Sequence, residues 1–121
     1  MPSRRQSPRS RRVADRIQVE LGEILTTRTE DPRLRTLTVS GVEINRDLST
    51  AKVWVTGILS REEEGQAMQA LERAAPWLRS LLAPRLKLRI VPELHFQVDH
   101  SLEAGARIEQ LLREIQEPRD E

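Results

Sequence analysis

The stretch LTVSGVEINRDLSTAKVWVT, residues 37–56, decides the fold. Leu37 and Val39 place their apolar side chains at odd positions, whereas Val42 and Ile44 place theirs at even ones. Side chains alternate along a strand with a period of two, so the change of phase at Ser40-Gly41 predicts a β-bulge. Asn45-Arg46-Asp47-Leu48-Ser49 has the composition of a hairpin turn. After it Ala51, Val53 and Val55 alternate with Lys52, Trp54 and Thr56, the pattern of a half-buried strand. Two adjacent strands joined by so short a turn pair antiparallel.

Helical patterns flank this hairpin on both sides. Upstream, Val13, Ile17, Leu21, Ile24 and Leu25 recur at helical spacing after Ser10, a candidate N-cap, predicting a helix over 11–27. Asp31-Pro32 marks a break after it. Downstream, Ser60-Arg61-Glu62-Glu63 has the form of a capping box, and Ala67, Ala70, Leu71 and Ala74 follow on one face. Pro76 removes a backbone donor and clashes with the carbonyl of Glu72. The pattern resumes with Trp77, Leu78, Leu81 and Leu82, so two helical segments, 61–75 and 76–83, meet at a kink. Trp77 is assigned to the core.

From Leu86 to Val98 the even positions Leu86, Leu88, Ile90, Leu94, Phe96 and Val98 are apolar, which predicts a long last strand. Pro92 within it belongs at an edge or bulge. Ser101 then caps a final helix whose apolar side is Leu102, Ile108, Leu111, Leu112 and Ile115. The order α-β-β-α-kink-α-β plus a C-terminal helix describes an α+β domain, a three-stranded sheet with helices on one face.

Composition bounds the function. A chain of 121 residues fits one domain, and with three aromatics its core must be built from Leu, Ile, Val and Ala. It has no cysteine, which excludes disulfides and thiolate metal sites and suits a reducing cytosol. No apolar run approaches the ~20 residues of a membrane span, and no apolar signal core follows the basic start, so a cytoplasmic location is expected. Net charge is only +1, yet the charges are segregated. Residues 1–16 carry six arginines against Asp15, and residues 73–92 hold five cations and no acid. From Glu93 to Glu121 eight acids face three arginines. Basic blocks without interleaved acids point to nucleic acid.

The candidate contacts follow from this. Arg85, Lys87 and Arg89 stand at i, i+2 and i+4 of the expected strand and would share one face. With Arg73 and Arg79 near the kink, and Lys52 on the hairpin, they make a candidate phosphate-binding surface. Arg4, Arg5 and Arg9 of a basic arm, residues 1–10, with Arg11 and Arg12 directly after it, would fold onto RNA or merely solubilise. Trp54 shares parity with Lys52 and either stacks on a base or is covered by a neighbouring element. His95, Asp99 and His100 make the one cluster that invites a metal or catalytic reading, but no third ligand or nucleophile accompanies them. Asp99 and Ser101 are better read as ending the strand and capping the helix. No metal, cofactor or catalytic residue is expected.

The element order α-β-β-α-α-β resembles that of a type II KH domain. Such domains grip single strands with a Gly-x-x-Gly loop, and glycines only at 22, 41, 57, 65 and 105 exclude that spacing here. At residue level the chain resembles the ribosome-binding factor A family. Matching stretches are Arg12-Val13, Ile17, Glu20-Leu21, Asp31-Pro32-Arg33-Leu34, Thr38-Val39, Val42, Asp47-Leu48 and Ala51-Lys52-Val53. The most diagnostic is Arg89-Ile90-Val91-Pro92-Glu93-Leu94-x-Phe96 followed by Asp99-x-Ser101. Together they span about residues 11–116. The resemblance implies a KH-like RNA-binding domain over 11–116, followed by a short tail, 117–121. It also implies a helix-kink-helix with an Ala-x-Gly signature, which reads Ala74-Ala75-Pro76 here. Proline forces by steric clash the bend that glycine permits by flexibility, and it removes any contact made through that amide. The implied function is transient, non-catalytic binding of a monomer to the free 30S subunit and its 16S rRNA, near the 5′ end and the decoding region, during late maturation. No membrane and no small-molecule substrate is implied. The rival reading is a protein–protein interaction module whose basic surface is incidental.

Overall fold

A computed structural model describes residues 7–57, 60–101, 111–113 and 115. Helix α1 spans Pro8–Thr27, a single-turn α2 Pro32–Arg35, strand β1 Thr38–Ile44, β2 Thr50–Thr56, helix α3 Arg61–Leu86 and β3 Glu93–Val98. The sheet order is β1-β2-β3, with β1 antiparallel and β3 parallel to the central β2. This is the expected KH-like α+β arrangement.

The hairpin forms as its pattern requires. Val39 pairs with Val55 and Gly41 with Trp54, so the register shifts at Ser40 and the odd and even apolar runs reach the same face. Asn45 closes the turn by accepting from the Thr50 amide at 2.9 Å, and Leu48 takes a left-handed φ of 62°. Beyond β2, Gly57 at φ 101° passes so close to strand-entry backbone that a Cβ would meet the Thr36 carbonyl oxygen at 2.6 Å.

Both long helices cover one sheet face. Ala14, Ile17, Leu21, Ile24 and Leu25 of α1 and Ala67, Ala70, Leu71, Leu78 and Leu82 of α3 are buried. They meet Val39, Val42, Ile44, Ala51, Val53, Val55, Leu94 and Phe96 from the strands, α1 lying against β1 and α3 against β3.

Several local expectations are corrected. Helix α1 begins at Pro8, so Arg9 belongs to the helix and not to an arm. Its N-cap is Ser7, whose side chain accepts from the Ser10 amide, while Ser10 is itself buried. Proline at the first helical position costs no hydrogen bond, which allows the earlier start. Arg4 and Arg5 lie outside the described residues. Asp31-Pro32 opens α2, since the Asp31 carboxylate accepts from the Arg33 amide.

Ser60 does cap α3, its hydroxyl accepting from the Glu63 amide at 3.1 Å. The two helical segments are, however, one assigned helix that passes through Pro76 and Pro84 to Leu86. The expected strand from Leu86 is therefore shortened to Glu93–Val98. The reason is packing: Leu78 and Leu82 keep helical spacing into the core, whereas Ile90 would have belonged to the strand's buried face and is 67% exposed. The last turn is also tied to α1, because Arg85 donates to Glu20 at 3.0 Å and lies 3.3 Å from Glu23. Hydrogen bonding to Glu20 holds the Arg85 pKa above its ordinary value. Trp77, expected in the core, is 45% exposed. Leu111, Leu112 and Ile115 are also exposed, so these three do not form a buried side. Leu102 and Ile108 lie outside the described residues. At the end of β3 the Ser101 amide donates to Asp99 Oδ1 at 2.9 Å; the amides that a Ser101 cap would engage lie outside the described residues.

Two outcomes follow. Leu78 is fully buried, so Leu78→Ala should destabilise the fold by about 2–5 kcal/mol in urea unfolding; a loss under about 1 kcal/mol would contradict this core. Asp99 is held below the ordinary carboxylate pKa by hydrogen bonds from Ser101 and from Ser40 Oγ. A depressed carboxylate contributes stability that is present above its unfolded pKa of about 4 and lost as pH falls through the folded value. Asp99→Asn should therefore be less stable than the parent at pH 7, and the gap should close below about pH 4. A gap constant with pH would contradict the assignment.

Candidate nucleic-acid interface

Among the described residues β3 pairs only with β2, and no strand pairs with its other edge. Helix α3 runs beside that edge, and between them lies an open groove of about 610 Å³. Its helical wall is Glu72, Ala75, Pro76 and Arg79, and its strand wall is Glu93–Gln97. Of the Ala74-Ala75-Pro76 triplet, Ala74 and Ala75 pack against the core, and Ala75 and Pro76 line the groove. Pro76 has no amide hydrogen, so the Glu72 carbonyl on the same wall lacks its helical donor.

Arg79 is placed by a specific contact. Its Nε and Nη2 both donate to the Val91 carbonyl, at 3.1 Å for Nε. This ties the middle of α3 to the chain entering β3 and sets the width of the groove at one end. Pro92, next in sequence, is buried and, having no N–H, needs no acceptor there. The groove holds acids of its own, Glu72 and Glu93, with Arg79 opposite them in charge. His95 Nε2 lies 3.7 Å from Glu93.

The other expected contacts are scattered around this feature. Arg9, Arg11 and Arg12 are exposed in the first turns of α1. Lys52 is exposed on the sheet face away from the helices, in register with Glu43 and His95. Arg73 is exposed on α3. Arg85, Lys87 and Arg89 do not share a strand face: Arg85 is in the last turn of α3, Lys87 is its left-handed C-cap, and Arg89 lies in the irregular link to β3. Lys87 and Arg89 remain exposed and, like Arg73, form no ion pair among the described residues, whereas Arg85 is held by Glu20 and Glu23. Trp54 is half-buried, and its Nε1 is buried with no hydrogen-bond partner among the described residues. Those residues include no group of three or more His, Cys, Asp or Glu placed to hold a metal, and His100 sits 3.2 Å from Glu64.

Sequence reasoning missed the Arg79 clasp and the exposure of Trp77. The second was detectable, because Ala67, Leu71, Leu78 and Leu82 already form a complete buried stripe that leaves residue 77 at its margin. The first was not, since it depends on where the link after α3 passes.

The family model for ribosome-binding factor A matches residues 9–112. A ribosome-binding factor A from Thioalkalivibrio sulfidiphilus is 45% identical over 104 residues, covering 86% of this chain and 81% of the relative. One from Thiobacillus denitrificans is 42% identical over 119 residues, covering 94% and 96%. Among solved structures, the crystal structure of ribosome-binding factor A from Thermus thermophilus is similar with a TM-score of 0.67 and 32% identity, covering 76% of this chain and 97% of that one. A Thermus thermophilus homology model fitted into a cryo-EM map of a complex of the 30S subunit with ribosome-binding factor A is similar with a TM-score of 0.61 and 33% identity, covering 72% and 91%. On both sequence and structure, the chain belongs to the ribosome-binding factor A family.

Proposed function

We propose that this protein is a non-catalytic assembly factor that binds the free 30S subunit through 16S rRNA during late maturation of the rRNA 5′ end. The observation that carries this reading is the groove between α3 and the free edge of β3, with exposed unpaired cations outside its lining. An unpaired strand edge offers backbone donors and acceptors to base edges, and Glu72 and Glu93 suit the exocyclic amino groups of bases better than phosphates. Phosphates are better served by Arg73, Lys87, Arg89 and the exposed arginines of α1. Membership of the family supports the ribosomal partner, and the relative fitted into a 30S complex supports the small subunit. The domain that does this work is residues 11–116, acting as a monomer in the cytoplasm. No helix among the described residues is long and apolar enough to cross a membrane.

The test has two arms. Crosslinking with sequencing of the attached rRNA should recover 16S segments near the 5′ end, and free small subunits should capture the protein in preference to whole ribosomes. Equal capture by both would contradict an assembly role. Reversing Lys87 and Arg89 to Glu should leave the melting temperature close to that of the parent, because both are exposed. The same change should weaken subunit binding at low salt and flatten the salt dependence by about one phosphate contact per cation. An unchanged salt slope would remove these two residues from the interface.

A further inference from the structure

Trp77 exposes 45% of its surface although it stands on a helix whose neighbouring residue, Leu78, is fully buried. Leaving a large aromatic ring half in water forfeits hydrophobic free energy that burial would supply. At helical spacing its neighbours one turn away are Arg73, Ala74, Ser80 and Leu81, and the next turns bring Ala70 and Pro84. None is acidic. Arg73 is exposed and forms no ion pair among the described residues. Ser80 Oγ donates back to the Trp77 carbonyl at 2.6 Å, so its hydroxyl is engaged with backbone. Pro76, next in the chain, lines the groove along β3.

An exposed ring beside an unpaired guanidinium, on a stripe free of acids, fits a flat anionic ligand. The fully buried centre of a protein interface is depleted of charge, whereas around Trp77 the exposed neighbours are Arg73, Ser80 and Pro84. The other two aromatics are less available: Trp54 is half-buried on the sheet and Phe96 is in the core.

We propose that Trp77 is a stacking platform for an unpaired base of RNA, with Arg73 meeting the adjoining phosphate. This rests on the RNA-binding reading above and adds a contact to it outside the groove. Stacking involves a π-face that every base has, so the contact tolerates any base and leaves sequence choice to other residues.

The experiment measures binding of the parent, Trp77→Ala, Trp77→Phe and Arg73→Glu to purified 16S rRNA and to free small subunits across a salt series. Trp77→Ala should weaken both by about 5- to 150-fold, the equivalent of ~1–3 kcal/mol per stacked base. Its salt slope should match the parent, because stacking releases no counterions. Trp77→Phe should recover most of the loss, and Arg73→Glu should flatten the slope. A Trp54→Phe background leaves Trp77 as the sole indole, whose fluorescence should be quenched on adding rRNA; this keeps the test decisive if Trp77→Ala lowers the melting temperature. If the parent binds and Trp77→Ala binds equally well with no quenching, stacking is overturned while the RNA-binding reading stands. A loss on subunits with none on naked rRNA places the ring on a ribosomal protein and overturns the proposal. If the parent binds neither, the functional reading falls and the stacking contact with it.

Discussion

The parallel pairing of β2 with β3 is the constraint on which the rest of the molecule depends. Antiparallel neighbours can be joined by a tight turn, as β1 and β2 are, but parallel neighbours need a crossover long enough to return to the starting edge. Helix α3 is that crossover. Its length carries the chain back across the sheet, and its buried stripe closes the core over β2 and β3. Among the described residues the same path leaves β3 outermost with α3 running beside it, so a groove along that strand edge is a product of topology and needs no dedicated loop.

Three polar contacts hold the ends of this crossover. Ser40, the bulge residue, donates both to the Trp54 carbonyl and to Asp99 at the end of β3, which couples the two edge strands across the sheet. Arg79 fastens the link before β3 to the middle of α3. Arg85 fastens the last turn of α3 to Glu20 and Glu23 of α1. Two arginines that charge alone would assign to RNA are thus engaged with the protein itself. An arginine's planar fork can satisfy a carbonyl or two carboxylates from one position, which suits it to such links. Asn45 and Asp47 organise the hairpin turn in a similar way, through Ser49 and Thr50.

Much of the fold was legible in residues 37–56, because a strand's period of two makes both the bulge and the paired faces explicit. The α1 stripe and the Ser60 cap were legible for the same kind of reason: each is a local pattern with a local cause. The segment 86–92 was not. Leu86, Leu88 and Ile90 alternate as strand residues do, yet Leu82 and Leu86 also stand four apart as helix residues do, and periodicity cannot arbitrate when both patterns fit. Tertiary contacts decide, with Leu82 buried and Arg85 paired to α1. The alignment of Arg85, Lys87 and Arg89 fell with that strand. The helix also runs past Pro84, since a proline near a helix end loses only one hydrogen bond and a packed last turn can offset that. The candidate site was legible as composition, two basic zones, but its groove was not, because a strand edge is a property of sheet order.

The continuity of α3 through Pro76 also limits what the helix backbone can offer a ligand. A Gly-x-x-Gly clamp works because its loop presents backbone close to the nucleic acid, which small residues and open geometry permit. Within an unbroken helix the amides are already bound to carbonyls one turn back, and Pro76 has no amide to offer. Helix α3 therefore cannot grip phosphates through its backbone at the place where the family's signature lies. In the binding mode proposed above, contacts come from side chains, from exposed arginines and lysine, and from the strand edge across the groove. Contacts of that kind are individually modest, salt-sensitive and separable, since each long side chain engages and releases on its own. A surface built from many such contacts can engage and release stepwise, as one preformed clamp cannot.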